Sequence, residues 1–236
     1  MLTGMVSLLK TGIDNLDMLL GGGLAEASTT LLIGPAGTLK SHIAQQFICK
    51  GLEGGENCLY ISTLEDLGDF EEQLKLGFGW DVKPFIEKGL LKFVDLSRLW
   101  PLEPSRLRTP VSVDDVSEAV FKAMEDAGGR GGGRMCLSTL SHLFDLIMDV
   151  QAVERLVFGL KKNAKKNNLT ALLIMDEGAQ KRIVEETIKS ICDYVLTTYV
   201  RDSERMIRIS KAPVKHGLES FRLFFREKRV EIEVIL

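Results

Sequence analysis

The chain has 236 residues, 45% hydrophobic, 27% charged and 7% aromatic, and its 30 Lys and Arg against 33 Asp and Glu leave a formal charge of −3. That balance excludes the disordered, collagenous and disulfide-knot classes and gives no global basic field for nucleic acid, leaving only local patches. No apolar run approaches the ~18 residues needed to cross a bilayer, so the expectation is a cytoplasmic α/β protein with a packed core and no membrane partner.

Along the chain, apolar runs bounded by turn residues alternate with helical periodicity. Residues 29–33 (TTLLI) predict a buried strand, followed by a Gly-containing turn and a helix from about Ser41 to Lys50. Residues 58–62 (CLYIS) predict the next strand, 69–76 a helix and 90–94 (LLKFV) a third strand. Residues 114–126 read as a helix with Asp114 as N-cap and Val116, Ala119, Val120 and Met124 on one face. A fourth strand starts at 134–137, and a helix at 151–167 ends in Lys161, Lys162, Lys165 and Lys166. Cations at that end offset the helix macrodipole and need no partner to explain them. Residues 171–175 predict a fifth strand, and 194–199, 206–211, 222–225 and 230–234 a closing set. This order predicts an α/β fold: a mainly parallel twisted sheet with helices on both faces and an antiparallel C-terminal extension.

No internal repeat is visible. Residues 97–113, with Pro101, Pro104, Pro110, Arg98, Arg106 and Arg108, and residues 128–134 (GGRGGGR) read as surface loops, the second a mobile one. Arg106, Arg108, Arg130 and Arg134 could touch single-stranded nucleic acid, but few aromatics stand near to stack bases, so solvated surface is the favoured reading. Cys49, Cys58, Cys136 and Cys192 form no C-x-x-C pair and read as reduced, buried thiols. His42, His142 and His216 match no metal template, and Ser138 and Ser141 lack the G-x-S-x-G surroundings of a hydrolase serine.

The sharpest local signal follows the first strand: Gly34-Pro35-Ala36-Gly37-Thr38-Leu39-Lys40-Ser41. It fits the phosphate-loop template G-x-x-x-x-G-K-[ST] at Gly34, Lys40 and Ser41, between a strand and a helix. In that template, backbone amides and the helix N-terminus cradle phosphates, the lysine charges the outer phosphates and the hydroxyl ligates Mg²⁺. Leu39 stands where the second template glycine supplies backbone freedom. The candidate nucleotide-binding residues are therefore Gly34, Pro35, Ala36, Gly37, Thr38, Leu39, Lys40, Ser41 and His42, with Ser41 also a candidate Mg²⁺ ligand.

Three further stretches carry a family resemblance. Residues 11–23 (TGIDNLDMLLGGG) resemble the TGIPGLDELLGGG lead-in of the KaiC/RadA branch of RecA-like ATPases. Residues 55–57 through Glu65-Asp66 resemble that family's second strand with its terminal acidic pair, and 78–81 (FGWD) followed by 87–90 (EKGL) resemble its FGWD…EEGKL stretch. The resemblance implies one RecA-like domain over residues 1–236, ATP and Mg²⁺ as ligands, and nucleotide held between subunits of a ring of this chain or its KaiC/RadA-like paralogues, of hexameric type.

The same resemblance implies roles residue by residue. Glu65 fits the family's catalytic acid. The metal-side aspartate falls on Ser138, a neutral hydroxyl that cannot offset a divalent charge as a carboxylate does. Lys211-Ala212-Pro213 fits the Lys-x-Arg pair that reaches a neighbouring subunit's nucleotide, keeping the lysine and losing the arginine. A rival acidic pair, Asp176-Glu177, ends the apolar run 172–175; either Asp176 takes over the metal role or it is a strand-end pair at the same rim. Departures at Leu39, Ser138 and Pro213 imply a nucleotide-binding regulatory protein with weak or no hydrolysis. The alternatives are an active RadA-paralogue-type ATPase of DNA recombination, or a scaffold whose loop Leu39 closes; DNA is not the favoured partner.

Overall fold

The computed structural model of the chain describes residues 7–100, 110–128 and 132–233. The lead-in forms two short strands, β1 (Leu8–Leu9) and β2 (Leu24–Ala25), paired antiparallel around helix α1 (Asp14–Leu19). Then come β3 (Thr29–Gly34), α2 (Lys40–Glu53), β4 (Asn57–Ser62), α3 (Leu67–Phe78), α4 (Lys83–Glu87) and β5 (Leu91–Asp95). The middle of the chain supplies α5 (Val113–Ala127), β6 (Gly133–Ser138), α6 (Leu140–Ile147), α7 (Val150–Lys166), β7 (Leu169–Asp176) and α8 (Arg182–Ile191). Strands β8 (Tyr194–Arg201), β9 (Glu204–Lys211), β10 (Ser220–Arg226) and β11 (Arg229–Glu233) close it.

One nine-stranded sheet runs in the order β11-β10-β9-β8-β3-β7-β6-β4-β5. The six strands from β8 to β5 in that order pair parallel, and β9, β10 and β11 add antiparallel. The predicted architecture is the one observed. Side-chain parity divides the core, because successive residues of a strand face opposite ways. Leu31, Ile33, Leu173 and Met175 pack under α5, α6, α7 and α8, while Leu32, Leu172 and Ile174 pack under α1, α2 and α3. Burial on both faces explains why β3 and β7 read as unbroken apolar runs.

Strand β7 lies between β3 and β6, in a register that sets Asp176 opposite Gly34. The end of the P-loop strand and the Asp176 carboxylate thus meet at the C-terminal edge of the sheet, where ligands of open α/β folds sit.

Four local expectations change. The N-cap of α5 is Ser112, whose side chain accepts the Asp114 N–H, so Asp114 lies inside the helix. The buried stripe of α5 is Val116, Val120, Met124 and Ala127, and Ala119 faces solvent. Helices α1, α4, α6 and α8 and the short strands β1 and β2 are additions to the predicted elements. The stretch 128–134 is not all loop: Gly133 and Arg134 open β6, and Arg134 is 2% exposed. Its guanidinium donates to both carboxylate oxygens of Glu56 (2.8 Å each) and to the carbonyls of Lys10 and Phe47 (2.7 and 2.9 Å), which removes it from any nucleic-acid surface. Pro101, Pro104, Arg106, Arg108 and Arg130 lie outside the described residues.

The four cysteines are free and buried, and burial pushes the Cys58 and Cys192 thiols up to about 12. Among the described residues no helix is long and apolar enough to cross a membrane, and no group of three or more His, Cys, Asp or Glu is placed to hold a metal ion.

Candidate nucleotide-binding cleft

The P-loop turns from β3 into α2 with its floor pressed against β8. A side chain at Gly34 would collide with the Thr198 hydroxyl and carbonyl, so this position requires glycine for close approach. Thr38, fully buried, shares a 2.7 Å hydrogen bond with the Thr198 hydroxyl and donates to the Pro35 carbonyl at 2.7 Å, pinning the loop from below.

Leu39 is the decisive residue. It occupies the N-cap position of α2 at φ 68° and ψ 16°, the left-handed conformation for which the template uses glycine. Gly37 is also left-handed, at φ 79°. The backbone keeps the phosphate-loop shape even though one glycine of the pattern is gone. The half-buried Leu39 side chain packs against the core layer that contains α2 and also lines the cleft, rather than filling the turn.

The cleft, about 640 Å³, is bounded by Ala36, Gly37, Leu39, Lys40, Ser41 and His42 on the P-loop side. Ser62, Leu64, Glu65, Asp69, Gln73, Ser138, Thr139, His142, Ile174, Asp176 and Arg205 complete the wall. Most of the predicted site residues therefore converge on one space: Lys40, Ser41, His42, Glu65, Ser138 and Asp176 all face it. Gly34, Pro35 and Thr38 belong to the same loop but do not line the cleft.

Lys40 is 6% exposed and its ammonium meets three oxygens: the Gly34 and Pro35 carbonyls at 2.7 Å each and Asp176 Oδ1 at 3.0 Å. The Asp176 amide donates to Ser141 Oγ at 2.8 Å, fixing the strand end. Glu65 is held at both oxygens: the Tyr60 hydroxyl donates to Oε1 at 3.2 Å and Gln73 Nε2 to Oε2 at 2.6 Å. Burial raises its carboxyl above the ordinary range against these two hydrogen bonds. His142 shares a 3.0 Å hydrogen bond with Thr63 Oγ1 and stands edge-on to Trp100 at 6.2 Å between ring centroids. Burial lowers the pKa of His142, opposed by Asp176 and Asp145. His42 packs against Phe225 at 4.7 Å and Phe78 at 5.8 Å between centroids; burial first, then the Arg205 charge, lowers its pKa. Both imidazoles pack against aromatic rings, and burial disfavours their charged forms.

The residues present fit a nucleoside polyphosphate: a loop with two left-handed residues at the N-terminus of a 14-residue helix, with a lysine inside it. They offer a divalent ion less. The donor set is the exposed Ser41 hydroxyl and the Asp176 carboxylate, the latter already paired with Lys40, with the neutral Ser138 at the end of β6.

Lys211 is placed elsewhere. Its ammonium donates to the carbonyls of Lys189, Ser190 and Cys192 at 3.1, 2.9 and 2.6 Å, capping α8 of its own chain. Several cleft residues escaped the sequence reading, among them the polar Asp69, Gln73, His142 and Arg205. His142 sits in α6, an eight-residue helix whose N-cap, Thr139, makes no side-chain cap hydrogen bond. Arg205 donates from Nε to the Gly37 carbonyl at 2.8 Å, and its signal was available in the parity of β9, where it shares a face with Ile207 and Ile209.

Comparison with known proteins agrees with this geometry. The family model described as the KaiC ATPase matches residues 9–230. A UPF0273 protein of Methanopyrus kandleri is 28% identical over 182 residues, covering 75% of this chain and 70% of that protein. The circadian clock protein KaiC3 of Synechocystis is 29% identical over 201 residues, covering 85% of this chain but 37% of that longer protein. A UPF0273 protein of Pyrococcus horikoshii is 44% identical over a shorter stretch of 86 residues, 36% of this chain and 34% of that protein. In fold, the chain is similar to the crystal structure of a KaiC-like protein from Pyrococcus horikoshii, with a TM-score of 0.81 at 20% identity, covering 97% of this chain and all of that one. With the lead-in, P-loop and strand order in place, the chain belongs to the KaiC ATPase family.

Proposed function

We propose that this chain binds ATP in the cleft and hydrolyses it weakly or not at all. In this reading it is one domain across residues 1–236. It acts in the cytoplasm as a regulatory or signalling protein, by ring-type association with copies of itself or with KaiC/RadA-like paralogues. The observation that carries the reading is Leu39: its left-handed backbone preserves the phosphate cradle, and Lys40 stands inside it. Binding draws mostly on loop amides and that lysine. Turnover draws on groups that stabilise charge in the transition state, and here Ser138 and Pro213 replace the family's aspartate and arginine. Glu65 remains as a residual catalytic carboxylate, Mg²⁺ would be held weakly by Ser41 through the nucleotide, and Lys211 would reach a neighbour only by leaving the three carbonyls it now caps.

Phosphate release from Mg²⁺-ATP is expected to stay near the blank, while ATP at ~100 times its Kd raises stability by about 2.7 kcal/mol. Turnover that Lys40→Ala abolishes would overturn the weak-hydrolysis reading. A melting temperature unmoved by ATP, with and without Mg²⁺, would overturn nucleotide binding in favour of a scaffold.

A second reading, an active ATPase of the RadA-paralogue type acting in DNA recombination, draws support from Asp176, which lines the cleft beside Lys40 and Ser41 and could supply the carboxylate that Ser138 lacks. It predicts Mg²⁺-dependent turnover lost in Asp176→Asn, and retardation of DNA that weakens with salt.

A further inference from the structure

We propose that Arg205, from the same chain as the P-loop, supplies the positive charge that holds the polyphosphate of the nucleotide in this cleft. The proposal rests on the reading that the cleft takes ATP. It starts from strand parity. Arg205, Ile207 and Ile209 alternate onto one face of β9, and Ile207 and Ile209 are buried in the layer that contains α2. The same face carries Arg205, at the beginning of the strand, to the N-terminus of α2, where Nε donates to the Gly37 carbonyl at 2.8 Å.

The charges lining the cleft then decide the matter. Its cations are Lys40 and Arg205, and its carboxylates are Glu65, Asp69 and Asp176. Lys40 is committed to Asp176 and two loop carbonyls. Arg205 is exposed, and among the described residues no carboxylate lies within salt-bridge distance of it. A guanidinium has five N–H donors in a planar fork suited to phosphate oxygens; one is engaged on Gly37, and Arg205 lines the cleft. Burial disfavours the charged forms of His42 and His142, the two imidazoles on the cleft wall. A polyanion entering a cleft otherwise acidic or self-paired therefore has Arg205 as its unpaired counter-charge. Where the family's trans arginine has become Pro213, near the far end of this strand, the start of the strand carries an arginine that serves its own loop.

The test is isothermal titration of ATP, with Mg²⁺ and with chelator, into the wild-type chain and into Arg205→Ala, Arg205→Gln and Arg205→Lys. Glutamine retains an N–H donor for Gly37 without the charge, and lysine retains the charge without the fork. Loss of a charge-assisted contact predicts ATP binding weaker by about tenfold or more in the alanine and glutamine variants, with part of it restored in the lysine variant. Unfolding curves without nucleotide are expected to superimpose for the wild type and Arg205→Gln, which keeps a donor for the Gly37 carbonyl on an exposed side chain. Wild-type uptake of ATP with affinity unchanged in Arg205→Gln would overturn the role of Arg205 and leave nucleotide binding standing. No uptake by the wild type would overturn both.

Discussion

Leu39 shows how a residue can be wrong for a motif and right for a fold. A non-glycine residue in the left-handed region costs about 1–2 kcal/mol, and Leu39 meets that cost at φ 68° while its side chain stays half-buried against the core. Substitutions separate the two effects. Leu39→Ala loses the packing and keeps the unfavourable φ, so it is expected to destabilise by about 1–2 kcal/mol. Leu39→Gly loses the same packing but relieves the backbone, so it should unfold at higher denaturant than the alanine variant, although glycine is usually the worse residue. Chemical denaturation of the three proteins checks the order; alanine more stable than glycine would refute the left-handed backbone at this position. The motif itself was legible in sequence at Gly34, Lys40 and Ser41. The conformation at Leu39 was not, because nothing in a leucine announces that its neighbours will hold it left-handed. Arg205 was missed for a different reason. It stands at a strand start, outside the run of period-2 residues that marked β9, so its parity was there to count but no motif drew attention to it.

Elements were legible in proportion to their periodicity. The central strands β3, β4 and β7 and the helices α2, α5 and α7 lie within a few residues of their sequence positions, because long apolar runs and amphipathic stripes survive any tertiary context. Helix α6 was hidden because it has only eight residues and its N-cap, Thr139, makes no side-chain cap hydrogen bond, although His142 and Asp145 mark a polar face. Helix α8 has a strong stripe but only ten residues, and its N-cap, Lys181, makes no side-chain cap hydrogen bond, so no start signal precedes it. Arg134 was misjudged because glycines surround it in sequence, whereas in space it joins three elements. One guanidinium ties the lead-in at Lys10, the middle of α2 at Phe47 and the α2–β4 turn at Glu56, and it lies 4.8 Å over the Phe47 ring. Arg134→Ala is expected to cost about 3 kcal/mol or more in urea unfolding, because it leaves Glu56 and two carbonyls without their donor. Arg134→Lys should recover little, since a point charge cannot make the two parallel bonds to Glu56. A loss under about 1 kcal/mol for alanine would mean that these elements are joined by apolar packing alone.

At the scale of the molecule, the open question is whether the sheet's C-terminal edge works alone or against a second copy. The proposed ring needs a face that the isolated chain leaves unsatisfied. Ile183, near the start of α8, and Leu218, in the connection from β9 to β10, are large apolar side chains that are 74% and 78% exposed. They flank in sequence the two elements that Lys211 joins, the end of α8 and the end of β9. Charge placed at such exposed sites changes the stability of a lone subunit by less than about 0.5 kcal/mol, but it is costly in a buried apolar contact. The ring therefore predicts that the wild-type chain sediments as an oligomer with ATP, and that Ile183→Asp with Leu218→Asp sediments as a monomer with an unchanged unfolding curve at low protein concentration. Lys211→Met should behave in the opposite way: losing three hydrogen bonds at the end of α8 lowers monomer stability by about 1–2 kcal/mol whatever the oligomeric state. A wild-type chain that sediments as a monomer at every protein and nucleotide concentration would exclude the ring. The cleft would then be complete within one chain, with Arg205 at the end of β9 that faces the P-loop and Lys211 at the other end serving only its own fold.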